Sequence, residues 1–333
     1  MKKFINNTDD MLVESLSGFA LAHQDMVELH LNPNFITRKK KAVNKVAIIS
    51  GGGSGHEPLH AGYIGYGMLD AACPGYVFTS PTPDQMLLAA EAVHANKGIL
   101  FIVKNYAGDV MNFEMAAEML PYESATVLTS DDCAVINSTY TTGRRGVAGT
   151  VIVEKCVGSL AEAGADLQSC KALGDKVNLH TASIGVALTS CTVPAAGRPT
   201  FDISETEIEM GVGIHGEPGR KREIMRPANA IVQDMVNAIL VDFKAKNLAI
   251  NNVEALLLVN GFGATPLMEL YLIFNTASQL FTQHGIKITR SLVGNYTTAL
   301  DMSGASITLC LLDDEIKHHW DSPSHTPALN KNQ

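Results

Sequence analysis

Short apolar runs alternate along this chain with longer stretches in which apolar residues return every three or four positions. Thr8–His23 places Leu12, Leu16 and Phe19 on one helical face, and Thr8 followed by two aspartates predicts a capped helix start. "KVAIIS" (Lys45–Ser50), "GILFIVK" (Gly98–Lys104), "SATVLTS" (Ser124–Ser130) and "ASIGVAL" (Ala182–Leu188) predict short buried strands. Between them, "PDQMLLAAEAVHAN" and "MNFEMAAEML" predict amphipathic helices. This alternation predicts two α/β domains, each a mostly parallel central sheet flanked by helices. The first is expected over residues 1–183 and the second over 184–333. The second holds the strand "EALLLVNGFG" (Glu254–Gly263), a long helix closed by Gly285, and the strands "GIKITRSLVG" and "SITLCLLD". Residues 220–252, a charged stretch "RKREIMRP" followed by a helix, are expected as a surface excursion, and the tail "DSPSHTPALNKNQ" as an extended surface segment. No strong repeat relates the two halves.

Composition narrows the picture. The 333 residues are 46% hydrophobic and 18% charged, enough apolar content for one large or two ordinary cores. A formal net charge of −9 argues against nucleic acid as the main partner. No apolar run is long enough to span a bilayer, and "MKKFINNTDDML" lacks the apolar core of a secretory signal. Cys73, Cys133, Cys156, Cys170, Cys191 and Cys310 are scattered without a C-x-x-C pair. They are expected to be reduced, buried thiols in a cytoplasmic protein, and no metal site is expected.

Five stretches could carry chemistry. In "ISGGGSGHEP" (Ile49–Pro58), a glycine-rich turn follows a strand, an arrangement in which backbone N–H groups approach a ligand closely. It is no Walker loop, and His56 stands where a dinucleotide fingerprint needs its third glycine. What remains is a tight turn around a small ligand with one imidazole beside it, or a structural turn whose histidine caps the next helix. "GVGIHGEPG" (Gly211–Gly219) embeds His215 among glycines, as a nucleophile would need, or as a loop histidine without a role. In "VKNYAGDVMNFE" (Val103–Glu114), Lys104 ends a strand and Asp109 follows on a glycine turn. Ligands sit at such strand ends, where a carboxylate can act as a base and a lysine can neutralise phosphate. A solvated ion pair is the plainer alternative. "FTSPTPDQM" (Phe78–Met86) brings Ser80 to a helix entry, where it lines a pocket or simply starts the helix. The arginine pair of "TTGRRGVAGT" (Thr141–Thr150) suits an anion, an acidic partner surface or plain solvation.

Together with "YTTGRRGVAGTVIVEK", "CTVPAAGRP", "NGFGATPLMELY" and "HTPAL", these stretches resemble the dihydroxyacetone-binding subunits of dihydroxyacetone kinases over nearly the whole chain. The resemblance implies that His215 adds to the ketone carbon of dihydroxyacetone as a covalent hemiaminal. Glycerol has no carbonyl and is excluded. It implies that Gly53, with Ser54 and Gly55, cradles the substrate, and that Lys104 and Ser80 line its site. His56 and Asp109 contact its hydroxyls and assist proton removal. Relatives that use ATP directly carry a further nucleotide-binding domain. This chain stops soon after "HTPAL" and shows no aspartate-rich magnesium motif of that domain, so the resemblance points to the bacterial phosphoenolpyruvate-dependent type. The implied partners are an ADP-loaded kinase subunit, which would hold ADP and magnesium in place of this chain, and indirectly a phosphocarrier of the phosphotransferase system. A homodimer is implied, with no nucleic acid or membrane partner. The alternative is a dihydroxyacetone-binding coactivator paralogue that acts on a transcription regulator. His56, Asp109 and Lys104 together favour the enzyme, because a coactivator needs the covalent anchor more than the base.

Overall fold

The computed structural model describes residues 2–135, 141 and 143–332. Two compact units emerge from the contacts. One comprises Met1–Thr129, Val151–Asp175 and His318–Gln333, the other Ser130–Thr150 and Lys176–Lys317. The single cut expected between 183 and 184 is therefore corrected to a division in which the chain changes unit at 129/130, 150/151, 175/176 and 317/318. The reason is pairing over long range. The strand at Thr181–Ala187 takes its neighbour from Gly304–Leu312, a pairing that no local pattern reveals.

In the first unit, helix α1 (Met11–Ala22) precedes β1 (Val27–His30), β2 (Phe35–Arg38), β3 (Lys45–Ser54), β4 (Ala71–Val77), α2 (Pro83–Val93), β5 (Asn96–Lys104), α3 (Ala107–Met119) and β6 (Ser124–Thr129). Asp10 stands at the N-cap of α1 and makes no side-chain capping bond, so Thr8 does not start this helix. The sheet order is β1-β2-β4-β3-β5-β6, with β4, β3, β5 and β6 parallel and the β1/β2 pair antiparallel at one edge. β3 is buried along its whole length, as a central parallel strand covered on both faces must be. Helix α2 begins with a Thr82/Gln85 capping box and Pro83 in its first turn. It packs Met86, Ala89, Ala90 and Val93 with Phe113 and Ala116 of α3 against the sheet.

Two helices that the sequence pattern did not single out follow: α4 (Gly149–Glu162) and α5 (Leu167–Leu179). The second unit then holds β7 (Thr181–Ala187), β8 (Glu207–Met210), β9 (Lys221–Ile224), α6 (Ala228–Ala245), β10 (Val253–Gly261), α7 (Leu267–Gln283), β11 (Ile286–Gly294) and β12 (Gly304–Leu312). Its sheet order is β11-β10-β12-β7-β8-β9. Only β10/β11 is parallel. The other four pairings are antiparallel, which corrects the expectation of a mostly parallel sheet here. The α/β architecture with two flanked sheets is as expected. The expected surface excursion is not: α6 buries Ile231, Val232, Met235, Val236, Ile239, Leu240 and Phe243 in the core of this unit. The expected helix is there, but its apolar stripe, returning every three or four residues, faces the core despite the charged "RKRE" ahead of it.

After α8 (Asp314–Asp321), β13 (Ser324–His325) and β14 (Asn330–Lys331) form a small hairpin. The tail is not merely draped over the surface. His325 N–H donates to Tyr66 O at 2.9 Å and Ala328 N–H to Gly62 O at 2.8 Å, while Ser324, Thr326 and Leu329 are buried. No helix among the described residues is long and apolar enough to cross a membrane. All six cysteines are free thiols, five of them buried and Cys133 half-buried.

Candidate functional site

The expected glycine turn is largely strand. β3 continues through Gly51, Gly52 and Gly53 to Ser54, and the chain turns only at Gly55, whose φ is 107°. Glycine is needed in the strand because neighbours press on it. A Cβ on Gly53 would stand 2.6 Å from Thr79 N and 2.8 Å from Phe78 Cα, and one on Gly52 would overlap Lys104 Nζ. The turn itself is tied down by Glu57, whose carboxylate accepts the Gly55 N–H at 3.0 and 3.1 Å. No regular α-helix follows it, only a short 3-10 turn at Ala61–Tyr63, so His56 caps no helix. His56 is instead buried, with its ring stacked on Phe78 at 5.0 Å between centroids. Ser54 Oγ donates to Gly75 O at 2.7 Å, which ties β3 to β4.

Asp109 does not sit in a turn either. It lies buried in the first turn of α3, where N–H groups without helical partners favour a carboxylate. Ser80 is half-buried beside that turn, since a Cβ on Gly108 would stand 2.7 Å from Ser80 Oγ. Asn112 Nδ2 donates to Pro81 O at 2.8 Å and holds the Ser80 loop on α3. Lys104, at the end of β5, is fully buried and places Nζ 3.4 Å from Asp109 Oδ2. Gly53, Ser54, Gly55, His56, Ser80, Lys104 and Asp109 thus all belong to the first unit.

Two residues join this cluster that sequence reasoning did not select. His60 Nε2 lies 3.1 Å from Lys104 Nζ, and His60 Nδ1 lies 2.6 Å from Glu154 Oε1. Burial, with Lys104 and His56 adding to it, pushes the His60 imidazolium well below its usual range. Burial pushes the Glu154 carboxyl well above its own, although Lys104 and Ser50 pull it down. The signal for Glu154 was one acid inside the apolar run "TVIVEKCV", and for His60 a second histidine in "GHEPLH". A cavity of about 330 Å³ opens beside the glycine strand, lined by Gly52, Gly53, Ser54 and His60, with Leu16 and Phe19 of α1 across from them.

His215 belongs to the second unit, in the loop between β8 and β9. Its Nδ1 stands 3.0 Å from Glu217 Oε1, and its backbone N–H donates to Glu217 Oε2 at 3.0 Å. Glu217 is buried. Burial pushes its carboxyl up, but His215 and its hydrogen bond, with Arg145 behind, outweigh this and hold it at about 2. Arg145 is itself fully buried, donating from Nε to Asp132 Oδ2 at 2.7 Å and from an Nη to Gly211 O at 2.7 Å. Arg144 pairs with Asp242. The arginine pair therefore serves internal ion pairs and offers no open anion site. Glu217 was in view in "HGEP" but unassigned, because nothing local shows that its side chain folds back on the histidine.

The chain belongs to the Dak1 domain family, whose model matches residues 17–328. It is 47% identical to the dihydroxyacetone-binding subunit DhaK of the PEP-dependent dihydroxyacetone kinase of Escherichia coli strain K12, over 99% of each chain. Among solved structures it resembles a dihydroxyacetone kinase operon co-activator, with a TM-score of 0.89 and 32% identity over 96% of this chain and 98% of that one. It also resembles the dihydroxyacetone kinase of C. freundii, with a TM-score of 0.88 and 31% identity, covering 99% of this chain but 60% of that longer one.

Proposed function

We infer that this chain is a dihydroxyacetone-binding subunit of a phosphotransferase-system-dependent dihydroxyacetone kinase, and that it holds its substrate as a hemiaminal on His215. The observation that carries this is the His215–Glu217 contact. A carboxylate accepts the Nδ1 proton, so Nε2 is the ring nitrogen that carries a lone pair. That pair forms the C–N bond to the ketone carbon. The carbonyl π pair moves onto oxygen, which takes a proton from solvent, and the ring becomes cationic beside the Glu217 carboxylate.

In the phosphoryl-transfer step, Asp109 takes the proton of the attacking terminal hydroxyl and His56 hydrogen-bonds the substrate. The Lys104 ammonium offsets the charge of the incoming phosphoryl group. Gly53, Ser54 and Gly55 offer backbone groups, and Ser80 lines the site. ADP and magnesium belong to a partner kinase subunit, which a phosphocarrier recharges. The active form is a cytoplasmic homodimer. A structural neighbour named as a dihydroxyacetone kinase operon co-activator supports the alternative of a coactivator role. The buried Lys104–Asp109 pair, and the higher identity to a kinase subunit, favour the enzyme.

The test is mass analysis under gentle ionisation. Wild-type protein with dihydroxyacetone gains one substrate mass without nucleotide, metal or partner. Glycerol gives no gain, and His215→Ala loses it. An adduct that persists in His215→Ala, or forms on Lys104 as a Schiff base, overturns the mechanism. Reconstitution with a nucleotide-binding subunit and phosphocarrier, following dihydroxyacetone phosphate, separates kinase from coactivator.

A further inference from the structure

A fully buried amine needs fixed partners, because its desolvation is otherwise uncompensated. Lys104 Nζ has Asp109 Oδ2 at 3.4 Å, Gly51 O at 3.4 Å and His60 Nε2 at 3.1 Å. An ammonium only donates, so His60 Nε2 accepts and the single proton of a neutral ring sits on Nδ1. The surroundings of Nδ1 agree. Nδ1 faces two oxygens, Glu154 Oε1 at 2.6 Å and Ser50 Oγ at 2.9 Å, and the carboxyl oxygen is the closer acceptor. Burial keeps the ring neutral, as an acceptor at Nε2 must be.

Glu154 makes poor sense as packing alone. It is flanked on α4 by buried Val151, Ile152, Val153, Cys156 and Val157, and its Oε2 is buried without a hydrogen-bond partner among the described residues. An apolar side chain there would avoid that desolvation penalty. The carboxyl meets one catalytic-site neighbour, His60, and His60 meets Lys104.

We propose that His60 and Glu154 are positioning residues for Lys104: Glu154 fixes the His60 tautomer, and His60 holds one Lys104 N–H so that the remaining donors face Asp109. The proposal rests on the reading of Lys104 as a group that faces substrate and phosphoryl oxygen.

The experiment compares wild type with Glu154→Leu, Glu154→Gln, His60→Leu and His60→Gln in the reconstituted complex. It measures kcat, KM for dihydroxyacetone, melting temperature and the His215 adduct. Misplacing a charge-stabilising group by about 1 Å costs on the order of 10²-fold. Accordingly, the leucine variants lose about 10–100-fold in kcat, with KM changed less than about threefold and the adduct intact. The glutamine variants keep a polar atom for the neighbour and recover part of that loss. Wild-type kcat in folded leucine variants overturns the proposal, as does a loss that glutamine does not relieve. If the leucine variants fail to fold, the glutamine variants decide. A lower kcat at unchanged KM and melting temperature supports positioning, and wild-type kinetics overturn it. Wild-type protein that forms no adduct and turns nothing over sinks the functional reading instead, whatever the variants do.

Discussion

Glu217 grips His215 twice, taking the ring proton at Nδ1 and the backbone N–H of the same residue, each at 3.0 Å. A histidine in a glycine-rich loop would otherwise sample many rotamers and both neutral tautomers. Here one carboxylate, backed by buried Arg145 and through it by Asp132, selects one of each.

Glu217→Gln should therefore impair the anchor while leaving His215 in place. The amide preserves the shape but neither carries charge for the cationic ring nor fixes Nδ1–H as donor. Misassigned tautomers in histidine-dependent enzymes cost up to about 10⁴-fold. We expect the rate of adduct formation to fall by at least roughly 10²-fold, measured by mass analysis against time. Adduct formation at the wild-type rate would remove Glu217 from the mechanism.

The same carboxylate predicts a pH signature. Its folded value of about 2 lies below the ordinary 4.5, so the stability it contributes is complete above about pH 4.5 and is lost as pH falls toward 2. Asp132 works in the opposite sense. Burial outweighs Arg145 and raises it to about 6, so its contribution weakens as pH rises from 3.8 to 6. The informative quantity is thus the stability difference between wild type and Glu217→Gln, from denaturant melts at successive pH. That difference should be constant above pH 5 and shrink between about 4.5 and 2; a difference that stays flat down to pH 2 contradicts an ionised, paired Glu217.

Asp109→Asn should abolish most phosphoryl transfer and leave covalent binding intact. The amide fits the first turn of α3 and still faces Lys104, but it cannot take a proton. General bases contribute about 10²–10⁴-fold to rate. Turnover of the reconstituted variant is the measurement, and near-wild-type turnover would return Asp109 to a structural role.

Adjacent glycines in β3 should fail differently. At Gly52 the added methyl meets the tip of Lys104, so Gly52→Ala should fold but lose about 10-fold or more in kcat as the ammonium shifts. At Gly53 the methyl meets backbone of residues 78 and 79, which cannot swing aside, so Gly53→Ala should lose about 1–3 kcal/mol of stability. Melting temperature and single-turnover rate, measured on both, separate the two. Equal destabilisation of both variants would contradict the view that Gly52 makes room for a side chain alone.

Much of this was legible locally. The apolar runs fixed where β3, β5, β6, β7 and β10 lie, because burial on both faces of a sheet demands nearly continuous apolar sequence. Gly53, Ser54, Gly55, His56, Ser80, Lys104 and Asp109 of the first unit were all named from short motifs, whereas His60 and Glu154 were not. The helix after "RKREIMRP" was legible too, but the adjacent charge pointed to the surface and not to the core its apolar stripe fills.

Tertiary structure alone decided what depends on distant pairing. β7 lies beside β12, and the antiparallel direction of most of the second sheet follows from that order and not from the composition of any strand. Whether Gly51–Gly53 are turn or strand was settled by β4, which pairs with all three, and by β5, which pairs with Gly51 from the other side. Glu154 reaches His60 across 94 positions of sequence. Arg145, for which the sequence left an anion, an acidic partner surface or plain solvation open, is buried beside Asp132. A side chain's neighbours through space, its burial and hence its charge state are properties of the packed chain, and short-range pattern carries no information about them.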